Sequence, residues 1–207
     1  MNSSSIEIVE FNPQEASKER WKSFHTFQDA IFLETNPDDP LPSHTIREQE
    51  MMVRINDLAS STIHQIAITD DGQIVGRISL SHPRPESPDY ESQKSVVTAS
   101  LEVAHEWRRQ GLGTRLLRKV VEICETREHV EWIQIGSKTD VGHAFAEKFG
   151  GQVAIIAQEN RLYIHDIDWS MVQQWNTQGS LSAPDVRIEI FKGLIENNLE
   201  AFCALYT

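Results

Sequence analysis

Hydrophobic residues follow two different periods in the first part of the chain. Alternation over residues 6–11 predicts a strand, and Asn12 and Pro13 supply the cap and first residue typical of a helix start. Apolar side chains then recur at helical spacing, at Trp21, Phe24, Phe27 and Ile31. The proline-rich stretch over residues 36–42 ends this helix, because prolines interrupt both helices and strand ladders.

The next segment predicts a second helix followed by a hairpin. Thr45 and Glu48 have the spacing of a capping box, so a helix is expected to begin there and to run through Leu58. Strand-like runs over residues 63–69 and 74–81 are joined by Asp-Asp-Gly. The glycine supplies the positive φ that a tight hairpin turn needs.

Strands and helices alternate in the second half. A strand is predicted over residues 95–103, and the following helix carries an apolar stripe of Leu112, Leu116, Leu117, Val120, Val121 and Cys124. The later elements are a strand over 132–135, a helix over 143–149, and strands over 153–157 and 161–167. This order predicts an α/β fold with a mixed, twisted sheet of six or seven strands and helices on both faces.

The tail differs in composition from the predicted domain, residues 6–168. Residues 169–185 turn polar and are predicted to be a linker. Residues 188–190 repeat the Ile-Glu-Ile of residues 6–8, and the first helix's three-residue spacing returns at Leu199, Phe202 and Leu205. Residues 186–207 therefore begin a second copy of the domain, or else form a final strand and helix that pack on the first.

Composition limits the classes of partner and compartment. The formal net charge of −12 argues against general nucleic-acid binding, which uses a basic surface. The chain has two cysteines, and neither a signal-like N-terminus nor an apolar run of membrane-spanning length, so we expect no membrane association and a cytoplasmic protein. The eight histidines have no ligand spacing, so no metal site is predicted.

The most informative segment is residues 103–114, Val-Ala-His-Glu-Trp-Arg-Arg-Gln-Gly-Leu-Gly-Thr, where a predicted strand turns into a helix. Free N–H groups at a helix start bind phosphate where no side chain blocks close approach, and Gly111 and Gly113 provide that access. A dinucleotide-binding motif would need a third glycine where the chain has Leu116, and the P-loop sequence is absent. The sequence therefore predicts a different phosphate site.

The segment resembles the signature R/Q-x-x-G-x-G/A of the GNAT superfamily of acetyltransferases. The matching residues are Arg108, Arg109, Gln110, Gly111, Leu112 and Gly113. The resemblance covers roughly residues 6–168 and implies a GNAT fold with acetyl-CoA as co-substrate. It also implies that residues Arg108 to Thr114 hold the pyrophosphate and that the main chain of Leu101 to Val103 pairs with the pantetheine arm where two strands splay apart.

The catalytic groups are less clearly marked. Strand alternation places Glu102 on the face opposite Leu101 and Val103, where it is a candidate base for the acceptor amine. The alternative is an exposed strand carboxylate without a role. The family's usual thiolate acid, a tyrosine near the end of the later short helix, falls on Ala146, and a common asparagine falls on Thr139.

Two functions remain open from these residues. The first is an acetyl-CoA-dependent N-acyltransferase that acetylates a primary amine of a small molecule or peptide. The second is a catalytically degenerate GNAT half that binds acetyl-CoA or docks to a partner. The altered helix and the repeated tail resemble the N-terminal half of tandem GNAT proteins such as mycothiol synthase, which implies a second GNAT domain or a homodimer as partner.

Overall fold

The computed structural model describes residues 5–158 and 160–182. Their contacts divide the chain into two compact units, Met1–Gln152 and Val153–Thr207. The first unit contains a mixed sheet with helices on both faces, which confirms the predicted α/β class.

The sheet of the first unit has five strands in sequence order. They are β1 (Ile6–Glu10), β2 (Ser60–Thr69), β3 (Ile74–Pro83), β4 (Val96–Val103) and β5 (Trp132–Ile135). Neighbouring strands pair antiparallel from β1 to β4, whereas β4 and β5 pair parallel. The predicted hairpin is β2–β3, and Gly72 in its turn has the expected positive φ of 85°.

Six helices occur in the described part of the chain. They are α1 (Lys18–Thr35), α2 (His44–Ile55), α3 (Tyr90–Gln93), α4 (Leu112–Glu125), α5 (Asp140–Lys148) and α6 (Trp169–Ser182). Short 3₁₀ turns occupy His105–Trp107 and Ile164–Asp166.

The two faces of the sheet carry separate cores. On one face α4 buries four residues of its predicted stripe against β3 and β4, namely Leu112, Leu116, Val120 and Cys124. Val121, which was also predicted to belong to the stripe, is 39% exposed. On the other face α1 and α2 pack over an aromatic core of Phe11, Phe24, Phe27, Met51, Ile66 and Ile74. Along β3, Ile78 and Leu80 point into the first core, whereas Arg77 lies over the ring of Phe24 on the other face.

The start of α1 differs from the prediction. Asn12 accepts a hydrogen bond from the N–H of Gln14 at 3.0 Å, which closes a local turn instead of capping a helix. The cap is Ser17, whose hydroxyl accepts from the N–H of Arg20 at 3.2 Å. Both residues have capping chemistry, and only the second is followed by helical backbone.

The predicted capping box of α2 is also absent. The helix begins after Ser43, and Thr45 lies inside its first turn. The Oε1 atom of Glu48 lies 2.7 Å from the ring Nε2 of His25 on α1, within hydrogen-bond distance. A tertiary partner therefore takes the carboxylate that the local pattern had assigned to the helix start.

The prediction of six or seven strands is wrong for the described residues, which form five. Neither 153–157 nor 161–167 pairs with another strand there, and part of the second segment is a 3₁₀ turn. Ile155 and Ile156 are 81% and 82% exposed. A β-like sequence forms a strand only where a neighbour accepts its main-chain hydrogen bonds.

The predicted linker over 169–185 is helical as α6 as far as Ser182. The predicted second copy over 186–207 lies outside the described residues, so the domain division stays a prediction. In the described ranges, the helices are all too short or too polar to cross a membrane.

Candidate active site

The strands β4 and β5 separate part-way along β4. Their ladder runs from the Val96–Trp132 pair to the Ala99–Ile135 pair. β4 continues to Val103 beside β3, whereas β5 ends at Ile135. In the described part of the chain, residues 100–103 therefore have no strand partner on the β5 side, and we call this unpaired edge of β4 the gap.

The main chain of Leu101 and Val103 faces this gap. The N–H of Ala104 donates to the carbonyl of Val75 on β3 at 2.9 Å. In an antiparallel ladder alternate residues bond to the same neighbour, so Glu102 also turns its amide toward β3. The main-chain N–H and C=O groups of Leu101 and Val103 point to the opposite edge of β4, toward the gap. The Val103 carbonyl is already occupied by Nε of Arg108 at 2.9 Å.

The loop after β4 places the start of α4 beside the gap. Arg109 and Gly111 have φ values of 61° and 84°, so the chain turns twice through the left-handed region. Gly111 is the cap of α4 and provides no side-chain hydrogen bond. A Cβ added at Gly111 would meet no atom within 4 Å. The space beside Gly111 at the start of α4 is therefore open, and the N–H groups of a helix start suit an anion.

Gly113 has a different role from Gly111. A Cβ added at Gly113 would lie 3.2 Å from the ring of Phe145 on α5. Its missing side chain therefore makes room for that ring beside the first turn of α4. We predicted access to phosphate at both glycines; the space beside Gly111 is open, and that beside Gly113 is filled by Phe145.

Arg108 is held by α1. Its two terminal nitrogens contact the two carboxylate oxygens of Glu34, with NH2 and Oε2 at 2.6 Å. The hydrogen bonds from Arg108 hold the pKa of Glu34 below its usual range, although partial burial opposes them. Gln110 donates to the carbonyl of Glu106 at 2.7 Å, and Arg109 is exposed. Arg108 thus ties β4 to α1, and the predicted pyrophosphate site consists mainly of main-chain donors.

Glu102 lies on the face of the sheet that α1 covers. Its Oε2 accepts from Nε2 of Gln28 at 2.8 Å and lies 3.4 Å from a terminal nitrogen of Arg77. Thr98 and Ser100 precede it on the same face of β4 and are exposed. The predicted alternation is therefore confirmed: the carboxylate is on one face, and the side chains of Leu101 and Val103 pack toward the core on the other.

The residues at and near the sequence position of the usual thiolate acid are Ala146, Thr139, His143 and Tyr163. Ala146 is half-buried on α5, and Thr139 caps that helix by accepting from the N–H of Gly142 at 3.2 Å. His143 is exposed and 3.9 Å from Glu147. Tyr163 belongs to the second unit and is 54% exposed.

The sequence did not point to Gln28, Glu34 or Arg77 as residues of the candidate site. Gln28 and Glu34 lie on α1, and no local motif marks them. Arg77 carries a usable signal, since it is a charged residue inside the apolar run Ile-Val-Gly-Arg-Ile-Ser-Leu of β3. In the described residues, no three His, Cys, Asp or Glu side chains come together as a metal-binding group.

Residues 21–151 match the model of the acetyltransferase (GNAT) family, and this range includes the gap, the loop and the start of α4. The chain belongs to the GNAT family. The matched range of this GNAT protein also contains α5 with Ala146. No curated protein sequence matches the chain.

Solved structures similar to this GNAT protein share its fold at low sequence identity. An aminoglycoside 6'-N-acetyltransferase from Acinetobacter baumannii is 17% identical with a TM-score of 0.52, over 77% of this chain and 99% of its own. A GNAT acetyltransferase from Staphylococcus aureus Mu50 is 21% identical with a TM-score of 0.52, over 70% and 84%. A ribosomal-protein-alanine N-acetyltransferase from Brucella melitensis biovar Abortus 2308 is 14% identical with a TM-score of 0.52, over 76% and 100%.

Proposed function

We propose that this GNAT protein transfers the acetyl group of acetyl-CoA to a primary amine of a small molecule or peptide. The observation that carries the proposal is the position of Glu102. Its carboxylate lies on the face covered by α1, while the peptide groups on either side of it face the gap beside β5. A proton acceptor and a slot for an extended thioester therefore meet at one point of one strand.

Two parts of the chain would hold acetyl-CoA. The N–H groups at the start of α4 suit the pyrophosphate, because the positive end of a helix dipole favours an anion. The N–H and C=O of Leu101 and the N–H of Val103 can form hydrogen bonds with the amides of the pantetheine arm. The arm would then lie along β4 in the manner of an added strand.

The reaction forms a bond between the amine nitrogen and the acetyl carbon and breaks the bond between that carbon and sulfur. The attacking amine loses a proton, which Glu102 is placed to accept directly or through water. The departing thiolate gains a proton from solvent, since Ala146 offers no acidic group at the family's usual position.

A catalytically degenerate module is the second candidate. Two observations favour it: Ala146 replaces the usual acid, and Arg108 is occupied by Glu34. Such a module would bind acetyl-CoA without turnover, so the two functions differ in one measurable property.

Calorimetry and thiol release test these functions with the full chain. We expect heat of binding with acetyl-CoA and release of free CoA with one of three amines: spermidine, a peptide with a free N-terminal alanine, or kanamycin. Glu102→Gln is expected to lower kcat by about 100-fold, the lower end of the range for general bases. The control Glu122→Gln removes an exposed carboxylate on α4 and should leave kcat unchanged.

Each failure has its own meaning. Absence of acetyl-CoA binding would refute the co-substrate. Binding without release of CoA from any amine would favour the degenerate module. Full activity of Glu102→Gln would remove Glu102 from the reaction and leave the fold and co-substrate intact.

A further inference from the structure

We propose that Gln28 and Arg77 are positioning residues, which hold one oxygen of the Glu102 carboxylate and leave the other to take the proton of the acceptor amine. The proposal rests on the proposed function, because it concerns the same transfer. It assigns to α1 and β3 a part in the reaction that the helix start at α4 does not reveal.

Three polar contacts form a closed triangle. Nε2 of Gln28 donates to Oε2 of Glu102 at 2.8 Å, and NH1 of Arg77 lies 3.4 Å from that same oxygen. NH1 of Arg77 also donates to Oε1 of Gln28 at 3.1 Å. Every member therefore contacts both of the others.

The triangle fixes the orientation of the Gln28 amide. An arginine side chain has only donors, so the oxygen of the amide must face Arg77. Its NH₂ group then faces Glu102, which as a carboxylate has only acceptors. In the opposite orientation the NH₂ group of Gln28 would face the donors of Arg77, and its oxygen would face the carboxylate of Glu102. Neither pair could form a hydrogen bond, so only one orientation of the amide fits.

Both contacts with Glu102 fall on Oε2. In the described part of the chain, Oε1 has no hydrogen-bond partner, and the side chain is 24% exposed. A base must come within about 2.6–3.2 Å of the proton that it removes, directly or through one water. A carboxylate held by one oxygen meets that requirement better than one that rotates freely.

Arg77 has an environment that packing alone does not explain. Its side chain is only 16% exposed, and its guanidinium lies 5.7 Å from the centre of the Phe24 ring. Its Nε is buried without a hydrogen-bond partner. An unpaired buried donor is destabilising, whereas an apolar residue at this position would pack on the aromatic core without that cost. The contacts of NH1 with Gln28 and Glu102 explain why an arginine occupies this position.

The test is a double-mutant cycle on kcat with the amine that gives turnover. Gln28→Leu keeps the size of the side chain and removes its donor. We expect it to lower kcat about tenfold with an unchanged KM for acetyl-CoA. In the Glu102→Gln background it should cause no further loss, because a residue that acts through Glu102 has nothing left to position.

Arg77→Lys and Arg47→Lys form a matched pair of variants. Arg47 also contacts a carboxylate, that of Asp29, and its guanidinium lies 5.7 Å from the ring of Phe32. It has no contact with Glu102. Arg77→Lys should therefore lower kcat and Arg47→Lys should not. Thermal melting will show whether Arg77→Lys folds. If it does not, the kcat of Gln28→Leu alone tests the positioning role.

The outcomes separate this proposal from the proposed function. Equal losses from Gln28→Leu in both backgrounds would overturn the positioning role while the enzyme remains active. Full activity of Gln28→Leu would overturn it as well. Lack of turnover by the unchanged protein, despite binding of acetyl-CoA, would overturn both.

Discussion

Gly111→Ala separates the phosphate site from the stability of the loop, because the chain contains a nearly identical glycine elsewhere. Gly111 caps α4 with φ of 84°, and Gly72 lies in the β2–β3 turn with φ of 85°. A Cβ at either position would meet no atom within 4 Å. Any cost of alanine therefore comes from the backbone angle, and it should be the same at both sites.

The expected destabilisation is small and can be calculated. A left-handed residue with a side chain costs about 1–2 kcal/mol. Alanine also reduces the conformational entropy of the unfolded chain, which stabilises the folded protein by about 0.4–1 kcal/mol. Each variant should thus lose about 1 kcal/mol of unfolding free energy, or about 2–4 °C in Tm for a protein of this size.

Binding of acetyl-CoA should distinguish the two variants. At Gly111 the new methyl group would occupy the open space at the first turn of α4, where the pyrophosphate is expected. We expect the Kd of Gly111→Ala to rise at least about tenfold, equivalent to about 1.4 kcal/mol, and that of Gly72→Ala to stay unchanged. Calorimetry with acetyl-CoA measures both. Equal Kd values for Gly111→Ala and the unchanged protein would exclude this turn as the pyrophosphate site.

Three further substitutions test the core and the ionisable groups. Leu116→Ala removes a fully buried side chain and should lower the unfolding free energy by about 3–5 kcal/mol in urea titrations. Burial and neighbouring arginines lower the pKa of His64 to about 4 from 6.5. As pH falls from 6.5 to about 4, His64 therefore takes up a proton in the unfolded chain before it does so in the folded protein. The unfolding free energy decreases by up to about 3 kcal/mol over this range, and Tm decreases with it. His64→Leu removes the titrating group, so its Tm should depend less on pH over the same range. Since hydrogen bonds from Arg108 hold the pKa of Glu34 below 4.5, Glu34→Gln should lower Tm near neutral pH and lose its effect as pH falls below that value.

Helical periodicity was sufficient to predict α4, and the short strand β5 was predicted with its observed bounds. The residues of the α4 stripe mark one face of one helix, and that pattern needs no knowledge of its partner. The strands predicted over 153–157 and 161–167 are absent because a strand depends on a neighbour that local sequence does not specify. The start of α1 was misplaced for a related reason, since Asn12 and Ser17 are both good caps and only the following backbone decides between them.

The candidate site divides in the same way. The helix start at Gly111 was predicted because its chemistry is local: a cap without a side chain and the N–H groups that follow it. The surroundings of Glu102 could not be predicted, since Gln28 is 74 residues away in sequence and Arg77 is 25. Contacts of that length depend on the tertiary fold, and a charged residue inside a buried strand is their main sequence signal.

The helix α1 connects the two halves of the site. Gln28 contacts Glu102 on the face of the sheet that α1 covers, and six residues later Glu34 contacts Arg108 in the loop before α4. Six residues of helix span about 9 Å, so one rigid element joins the proposed proton acceptor to the loop that precedes the proposed phosphate site. Arg108 in turn holds the carbonyl of Val103 at the end of β4. If acetyl-CoA binds as we propose, α1 together with β4 sets the position of Glu102 relative to the thioester, and a glycine motif alone does not establish that a GNAT chain has this arrangement.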